Sequence, residues 1–134
     1  LQYDFHKGVQ QVVRDLNTLY REQPALYEKQ YSHEGFRWID YGDAENSVLT
    51  YMRMGNEPKD NLIIACNLTP VPREGYRIGV PKTRQLKELF NSDAEKYGGS
   101  GMENGVAKIS KTPWHGFDRS VEINLPPLSV VVFR

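Results

Sequence analysis

The apolar residues of this chain change their repeat once, near residue 35, and that change limits the folds open to it. Before it, Val9, Val12, Val13, Leu16, Leu19 and Tyr20 recur at three- and four-residue steps, while Gln11, Arg14, Asp15, Thr18 and Arg21 fall on other faces. That is the spacing of an amphipathic helix. Asp4 is a candidate cap, and Pro24 lacks the N–H that a continuing helix needs, so the spacing predicts a helix over 5–22, with PALYE adding a further turn. After residue 35 the apolar runs are short or alternating and are broken by Gly, Pro, Asn and Asp. They predict strands over 36–40, 47–54, 62–68, 76–80, 86–91, 106–110, 120–125 and 128–133, and no second long helix. One helix followed only by strands makes a mainly β fold, a sandwich or barrel.

Two of these strands also reveal their surroundings. Val121, Ile123 and Leu125 alternate with Glu122 and Asn124, which predicts one buried and one wet face. Leu62, Ile63, Ile64, Ala65 and Cys66 show no polar alternation, so that strand is expected at the centre of a sheet, covered on both sides. The helix poses a separate problem, because its apolar stripe must be buried against something: the sandwich, or a further domain. The chain does not begin with Met, which is what a piece cut from a longer polypeptide would show.

Composition removes several function classes. At 134 residues, 39% hydrophobic and 25% charged, the chain fits one soluble domain with a real core. Lys plus Arg equals Asp plus Glu at 17 each, so no net field draws nucleic acid or anionic lipid. No apolar run approaches the roughly 18 residues of a membrane span, and the N-terminus has no signal-peptide pattern. A cytoplasmic protein with uncharged or protein partners is expected. Cys66 is the only cysteine, read as a buried structural thiol, and His6, His33 and His115 show no ligand spacing with it. No metal or cofactor site is expected.

Several residues invite a chemical reading. Asp43 with Glu45, and Asp93 with Glu95, are paired carboxylates of the kind glycosidic chemistry uses, but such residues are common in turns and nothing places either pair across a bond. His115, close to Asp118 in PWHGFD, lacks a Ser or Cys nucleophile in a strained elbow and reads as a turn histidine. The GGSG stretch at 98–101 lacks the Lys-Ser or Lys-Thr of a phosphate loop and reads as a flexible connection. TPVPREG at 69–75 reads as a rigid link between strands. Among the aromatics that can stack on sugar rings, Trp38 alternates with Phe36 along a strand and is expected to be buried. Trp114, beside Pro113 and Gly116, is expected near the surface.

Five segments, HKGVQQVVRDLNTLYREQPALYE, NLTPVPREGYRIGVP, LFNSDAEKYGGSG, PWHG and LPPLSVVVF, taken in this order, resemble the end of bacterial glycogen branching enzymes of the α-amylase superfamily. GFRWIDYGDAENSVLTYMR is similar to that family's first pair of strands, whereas Gly116-Phe117-Asp118-Arg119 lacks the basic residue expected directly after the His-Gly pair. The resemblance implies an antiparallel β-sandwich of Greek-key type with about eight strands, preceded over residues 1–31 by the last helix of a catalytic (β/α)₈ barrel, with the all-β domain over 32–134. It implies that the catalytic Asp, Glu and Asp lie upstream, that this chain carries no catalytic residue, and that neither cofactor nor metal is involved. The parent enzyme would move an α-1,4-linked segment to a 6-hydroxyl through a covalent glycosyl-enzyme intermediate, making an α-1,6 branch. The implied role is a β-domain that steadies the barrel, its partner in the same polypeptide. The alternative is an accessory glucan-binding surface, of the same enzyme or of a related amylase-superfamily enzyme, using Trp114 with Tyr97 or Tyr76. Val9, Val13, Leu16 and Tyr20 form the helix face that would meet barrel or sandwich, so in isolation this chain is expected to dimerise or to hold its first 25 residues loosely.

Overall fold

The computed structural model describes residues 4–83 and 85–134. Helix α1 spans Asp4–Glu22, with an acidic first turn and Arg21 in the last, which suits the helix dipole at both ends. Its final bond runs from the Gln23 N–H to the Leu19 carbonyl, and Pro24 then opens a 3₁₀ turn, Pro24–Leu26, in place of the further turn expected from PALYE.

Eight strands follow: β1 (Phe36–Asp43), β2 (Val48–Arg53), β3 (Leu62–Asn67), β4 (Arg73–Val80), β5 (Gln85–Asn91), β6 (Val106–Lys108), β7 (Arg119–Leu125) and β8 (Ser129–Phe133). All pairings are antiparallel. Six strands form one sheet in the order β1-β2-β3-β8-β5-β6, and β4 pairs with β7 as a second, two-stranded sheet. The chain leaves the large sheet after β3, returns at β5, leaves again after β6 and returns as β8 between β3 and β5, the non-sequential order of a Greek-key sandwich. Three strands differ from the sequence reading by two residues or more at one end, β1 by running on to Asp43, three past the expected end. β4 begins at Arg73, three residues early, with an irregularity before Tyr76 where Gly75 takes a φ of 62°. β6 ends at Lys108, and Ser110 meets Ser120 of β7 in a single bridge.

The two-residue period of the strands sorts the core into two layers. Between the sheets, Met52, Ile63, Ala65, Val131 and Phe133 meet Ile78, Val80, Val121, Ile123 and Leu125. On the outer face of the large sheet Leu62, Ile64, Phe90 and Val132 are covered by Ala25 and by Val12 and Leu19 of α1. β3 is thus covered on both sides, as its unbroken apolar run requires, and β7 has the predicted buried and wet faces.

The helix sits on this layer by contacts specific to it. A Cβ on Gly8 would lie 2.5 Å from the Tyr97 carbonyl oxygen, so the absent side chain permits a close approach. The Tyr97 hydroxyl donates to Asp15 at 2.6 Å, and Lys96 Nζ is 3.3 Å from the same carboxylate. Tyr97 and, to a smaller degree, Gln11 hold the Asp15 carboxyl below the ordinary value, while burial and then the facing Asp15 hold the Tyr97 phenol well above its own. The packed side of the helix is therefore Gly8, Val12, Asp15 and Leu19. The stripe Val9, Val13, Leu16 and Tyr20 points outward and is 40–62% exposed.

Three expectations are corrected here. Trp38 is 44% exposed, because it lies on the outer face of β1 beyond the reach of α1. There it packs with Phe36 (5.1 Å between ring centroids), Tyr41 (5.4 Å) and Tyr51 (5.9 Å), alternation having fixed its face but not what covers that face. Cys66 is half-buried at the margin of the same outer layer, and burial raises its thiol pKa. The GGSG stretch is held rather than loose: Asp93 accepts from the Ser100 N–H (3.2 Å) and hydroxyl, its carbonyl accepts from the Gly101 N–H (2.9 Å), and Gly99 packs against its backbone.

Candidate functional site

The region where side-chain chemistry converges lies on the far side of the sandwich from the helix. Residues 114–117 close a tight reversal in which the Trp114 N–H donates to the Phe117 carbonyl (3.0 Å) and the Phe117 N–H to the Trp114 carbonyl (2.9 Å). Its two central residues, His115 (φ 51°) and Gly116 (φ 78°), both lie in the left-handed region, as a type I′ turn demands. Glycine meets this at no cost. For His115 the cost is offset by its ring, whose Nδ1 accepts from the Gly79 N–H (3.1 Å) while Nε2 faces Asp40 Oδ2 at 3.4 Å. Gly79 also lacks the Cβ that would run into the Trp114 carbonyl oxygen. The turn is pressed against β4 and clamped to β1.

Beside it lies an open depression of about 750 Å³ bounded by the β1–β2 turn, the first half of β4 and Trp114. Trp114 is 45% exposed, with the Arg77 guanidinium 5.8 Å from its ring centroid. Arg77 is fixed in turn by Ser110 (3.1 Å), Ser120 (2.7 Å) and Glu122 (2.8 Å). Across the depression the Tyr76 hydroxyl donates to Asp43, which also accepts from the Asn46 backbone (3.2 Å) and side chain (3.0 Å). Burial alone would raise the Asp43 pKa, but the Tyr76 and Asn46 bonds outweigh it and the carboxyl sits below its ordinary value; the Tyr76 phenol is raised by burial and then by Asp43.

A pH dependence follows from this pair. The contribution of Asp43 is complete above the ordinary carboxylate value of 3.8 and is lost as pH falls through the lower folded value. That of Tyr76 is complete below the ordinary tyrosine value of 10.0 and is lost as pH rises toward the higher folded one. Tyr76→Phe is expected to reduce stability at pH 7 by about 1 kcal/mol, since the bond to a charged acceptor is half solvated. It should also flatten the decline above pH 10, and urea midpoints measured at pH 7 and pH 11 check both effects.

Residues 38–134 match the family model described as alpha amylase, C-terminal all-beta domain. The chain belongs to that family. Along its full length this all-beta domain, with its leading helix, is 46% identical over 135 residues to a 1,4-alpha-glucan branching enzyme GlgB of Aquifex aeolicus, covering 21% of that protein. It is 47% identical over 135 residues to the enzyme of the same name from Halothermothrix orenii, again covering 21% of it, and 48% identical to that of Pseudomonas putida, covering 18%. The chain thus spans about a fifth of the length of the relatives it matches, and the resemblance read from its motifs is upheld. In fold it is similar to a crystal structure of an alpha-amylase from H. orenii, with a TM-score of 0.53, 19% identity, and coverage of 90% of this chain and 19% of that one.

Within the domain the residues singled out from sequence are dispersed. Tyr76 and Trp114 border one depression. Tyr97 lies in the outer layer under α1, its ring 5.7 Å from Phe90 and its hydroxyl on Asp15. The carboxylate pairs serve turns: Asp43 organises the β1–β2 reversal, and Asp93 the loop after β5. Sequence reasoning missed Asp40, Arg73 and Arg77, which border the depression, and the exposed ring cluster around Trp38. The irregularity in β1 after Trp38, which brings Asp40 opposite Thr50, leaves no mark in residue types. No group of His, Cys, Asp and Glu among the described residues is arranged to hold a metal ion, and no described helix is long and apolar enough to cross a membrane.

Proposed function

We propose that this chain is the C-terminal part of a 1,4-α-glucan branching enzyme and serves it as a non-catalytic domain that steadies the catalytic barrel. The reaction, transfer of an α-1,4-linked segment to a 6-hydroxyl, belongs to residues of the parent outside this chain, and the parent acts in the cytoplasm. Residues 1–31 belong with the barrel and the β-domain begins near residue 32; the family match from residue 38 is in keeping with that division.

The observation that carries the reading is the two-sided helix. One side of α1 is fastened to the sandwich through Gly8, Val12, Asp15 and Leu19, while Val9, Val13, Leu16 and Tyr20 form an apolar stripe open to solvent. Tyr20 and Phe36 border one depression, where Lys29, Gln30, Ser32 and Arg53 separate the stripe from the exposed rings of Phe36, Trp38 and Tyr41. An exposed apolar stripe of this kind marks a contact with another folded unit. The relatives are about five times as long as this chain, which supplies the partner: the preceding part of the same polypeptide.

The test compares two contexts. Val13→Asp with Leu16→Asp is expected to change the stability of this chain alone by less than about 0.5 kcal/mol, as surface substitutions do. In the full-length polypeptide the same pair is expected to lower the melting temperature by several degrees and branching activity about tenfold, through two charges buried at an interface. Equal stability and activity of the full-length variant and its parent would remove the scaffold reading.

A further inference from the structure

The equal numbers of acidic and basic residues in this chain conceal an uneven distribution over its surface. At the end of the small sheet where β4 finishes and β7 begins, three separate stretches of backbone each deliver a cation to the same hollow. Val80 at the end of β4 pairs with Arg119 at the start of β7, and the chain then passes through Pro81 to Lys82. Ser110, in its single bridge to Ser120, sets Lys111 beside them. The hollow measures about 600 Å³, the size of a small-molecule site, and Asp118 is the one carboxylate that lines it with Lys82, Lys111 and Arg119.

The charges are arranged differently here from those elsewhere on the domain. Arg77, Lys96 and Arg134 are each matched by a carboxylate, whereas none of Lys82, Lys111 and Arg119 forms an ion pair among the described residues. In the depression beside Trp114 carboxylates outnumber guanidiniums; in this hollow three cations face one exposed carboxylate, so its potential is positive and favours an anion. Which anion follows from geometry. Donors arriving from three stretches of backbone suit a group with oxygens in several directions and two negative charges, a phosphate, better than a flat carboxylate. Arg119 is partly buried, so its guanidinium is held less freely than a surface lysine. Pro81 and Phe117 add an apolar border that a bare anion has no use for. Phe117 is fixed there by its reciprocal backbone bonds with Trp114 and by the Arg37 guanidinium 4.5 Å from its ring centroid.

We infer that this hollow is a binding site for a small organic phosphate ester, with Lys82, Lys111 and Arg119 bonding the phosphate oxygens and Pro81 and Phe117 bordering the organic part. Helix α1 packs on the outer face of the large sheet, so a ligand here leaves the stripe of Val9, Val13, Leu16 and Tyr20 open to its own partner. The site is thus independent of the scaffold reading.

The experiment is a titration of this chain in phosphate-free buffer, followed by amide chemical shifts. The probes are glucose 6-phosphate and AMP, with glucose and adenosine as their counterparts without phosphate, and inorganic phosphate as the bare anion. Saturable shifts at Lys82, Lys111, Gly116 and Arg119 are expected with at least one ester at millimolar concentration, weaker ones with inorganic phosphate, and none with glucose or adenosine. Affinity for the ester should fall several-fold as salt rises from about 20 to about 200 mM. Lys82→Gln with Lys111→Gln is expected to weaken binding about tenfold in a spectrum that remains dispersed. Lys7→Gln with Lys29→Gln, the same change of charge on the helix side, should leave affinity within about twofold. Failure of both esters to saturate, or an equal loss in the two double variants, would overturn the site. Inorganic phosphate binding as tightly as the esters would overturn the assignment of an organic part, and an equal response to glucose or adenosine would overturn the assignment of a phosphate.

Discussion

Asn67→Ala is expected to lower the unfolding free energy by about 3–5 kcal/mol, among the largest effects of any single substitution in this chain. Asn67 ends β3, is fully buried, and is bonded in both directions. Its amide nitrogen donates to the carbonyls of Val71 (2.8 Å) and Pro126 (3.0 Å), and its oxygen accepts from the Thr69 N–H (3.1 Å) and hydroxyl (2.9 Å). The side chain thus fastens three pieces of backbone: the end of β3, the proline-rich passage to the small sheet, and the turn that brings β7 back to β8. The Leu128 N–H donating to the Thr69 carbonyl (2.7 Å) closes the same junction. Truncation would leave buried carbonyls with no donor, and because Pro70, Pro72, Pro126 and Pro127 have no N–H, the local backbone has few groups with which to re-pair. Thr69→Ala, which removes the hydroxyl and a methyl but leaves the Asn67 amide in place, is expected to cost about 1 kcal/mol. Urea unfolding of the two variants beside the parent measures both, and a loss below about 1 kcal/mol in Asn67→Ala would show that the junction is re-satisfied by water.

Gly79→Val is expected to destabilise by about 2–4 kcal/mol and to release the Trp114 turn. A Cβ at this position would meet the Trp114 carbonyl oxygen and lie 2.9 Å from both His115 Cβ and the Phe117 ring. Of these the first is backbone inside a closed turn, which cannot yield without breaking its two bonds. The Gly79 N–H would then lose His115, whose left-handed backbone it helps to hold. Two readouts separate a local from a global effect. Thermal unfolding reports the stability loss, and tryptophan emission at a temperature where the variant is folded should move as Trp114 takes up new surroundings. Unchanged stability would mean that β4 and the turn can part by an ångström or more without consequence.

These positions show what kind of information the residues carry. The helix, the number and order of strands, the double burial of β3 and the two faces of β7 were legible because each follows from a repeat in the apolar residues, and a repeat is a property of the chain itself. The turn character of Asp43, Asp93 and His115 was legible for a similar reason, since short polar side chains and the His-Gly pair favour backbone that bends. The motifs NLTPVP and LPP were recognisable as words, but their joint role around Asn67 was not, because they lie 58 and 59 residues apart along the chain at the bonded carbonyls of Leu125 and Pro126.

What the sequence determined by itself is therefore the periodic part: one amphipathic helix, then eight strands, with the double burial of β3 and the two faces of β7. Tertiary structure alone decided which stripe of the helix the sandwich takes. Val9, Val13, Leu16 and Tyr20 are more apolar than Gly8, Val12, Asp15 and Leu19, yet the second set is the one packed on the sandwich, because Gly8 admits the Tyr97 backbone and Asp15 meets its hydroxyl. It alone decided that Trp38 is open and that Trp114, Tyr76 and Asp40 face one depression. A periodic pattern records how much apolar surface a segment offers and in which direction; what comes to cover that surface depends on segments far away in the chain, brought close only by the fold.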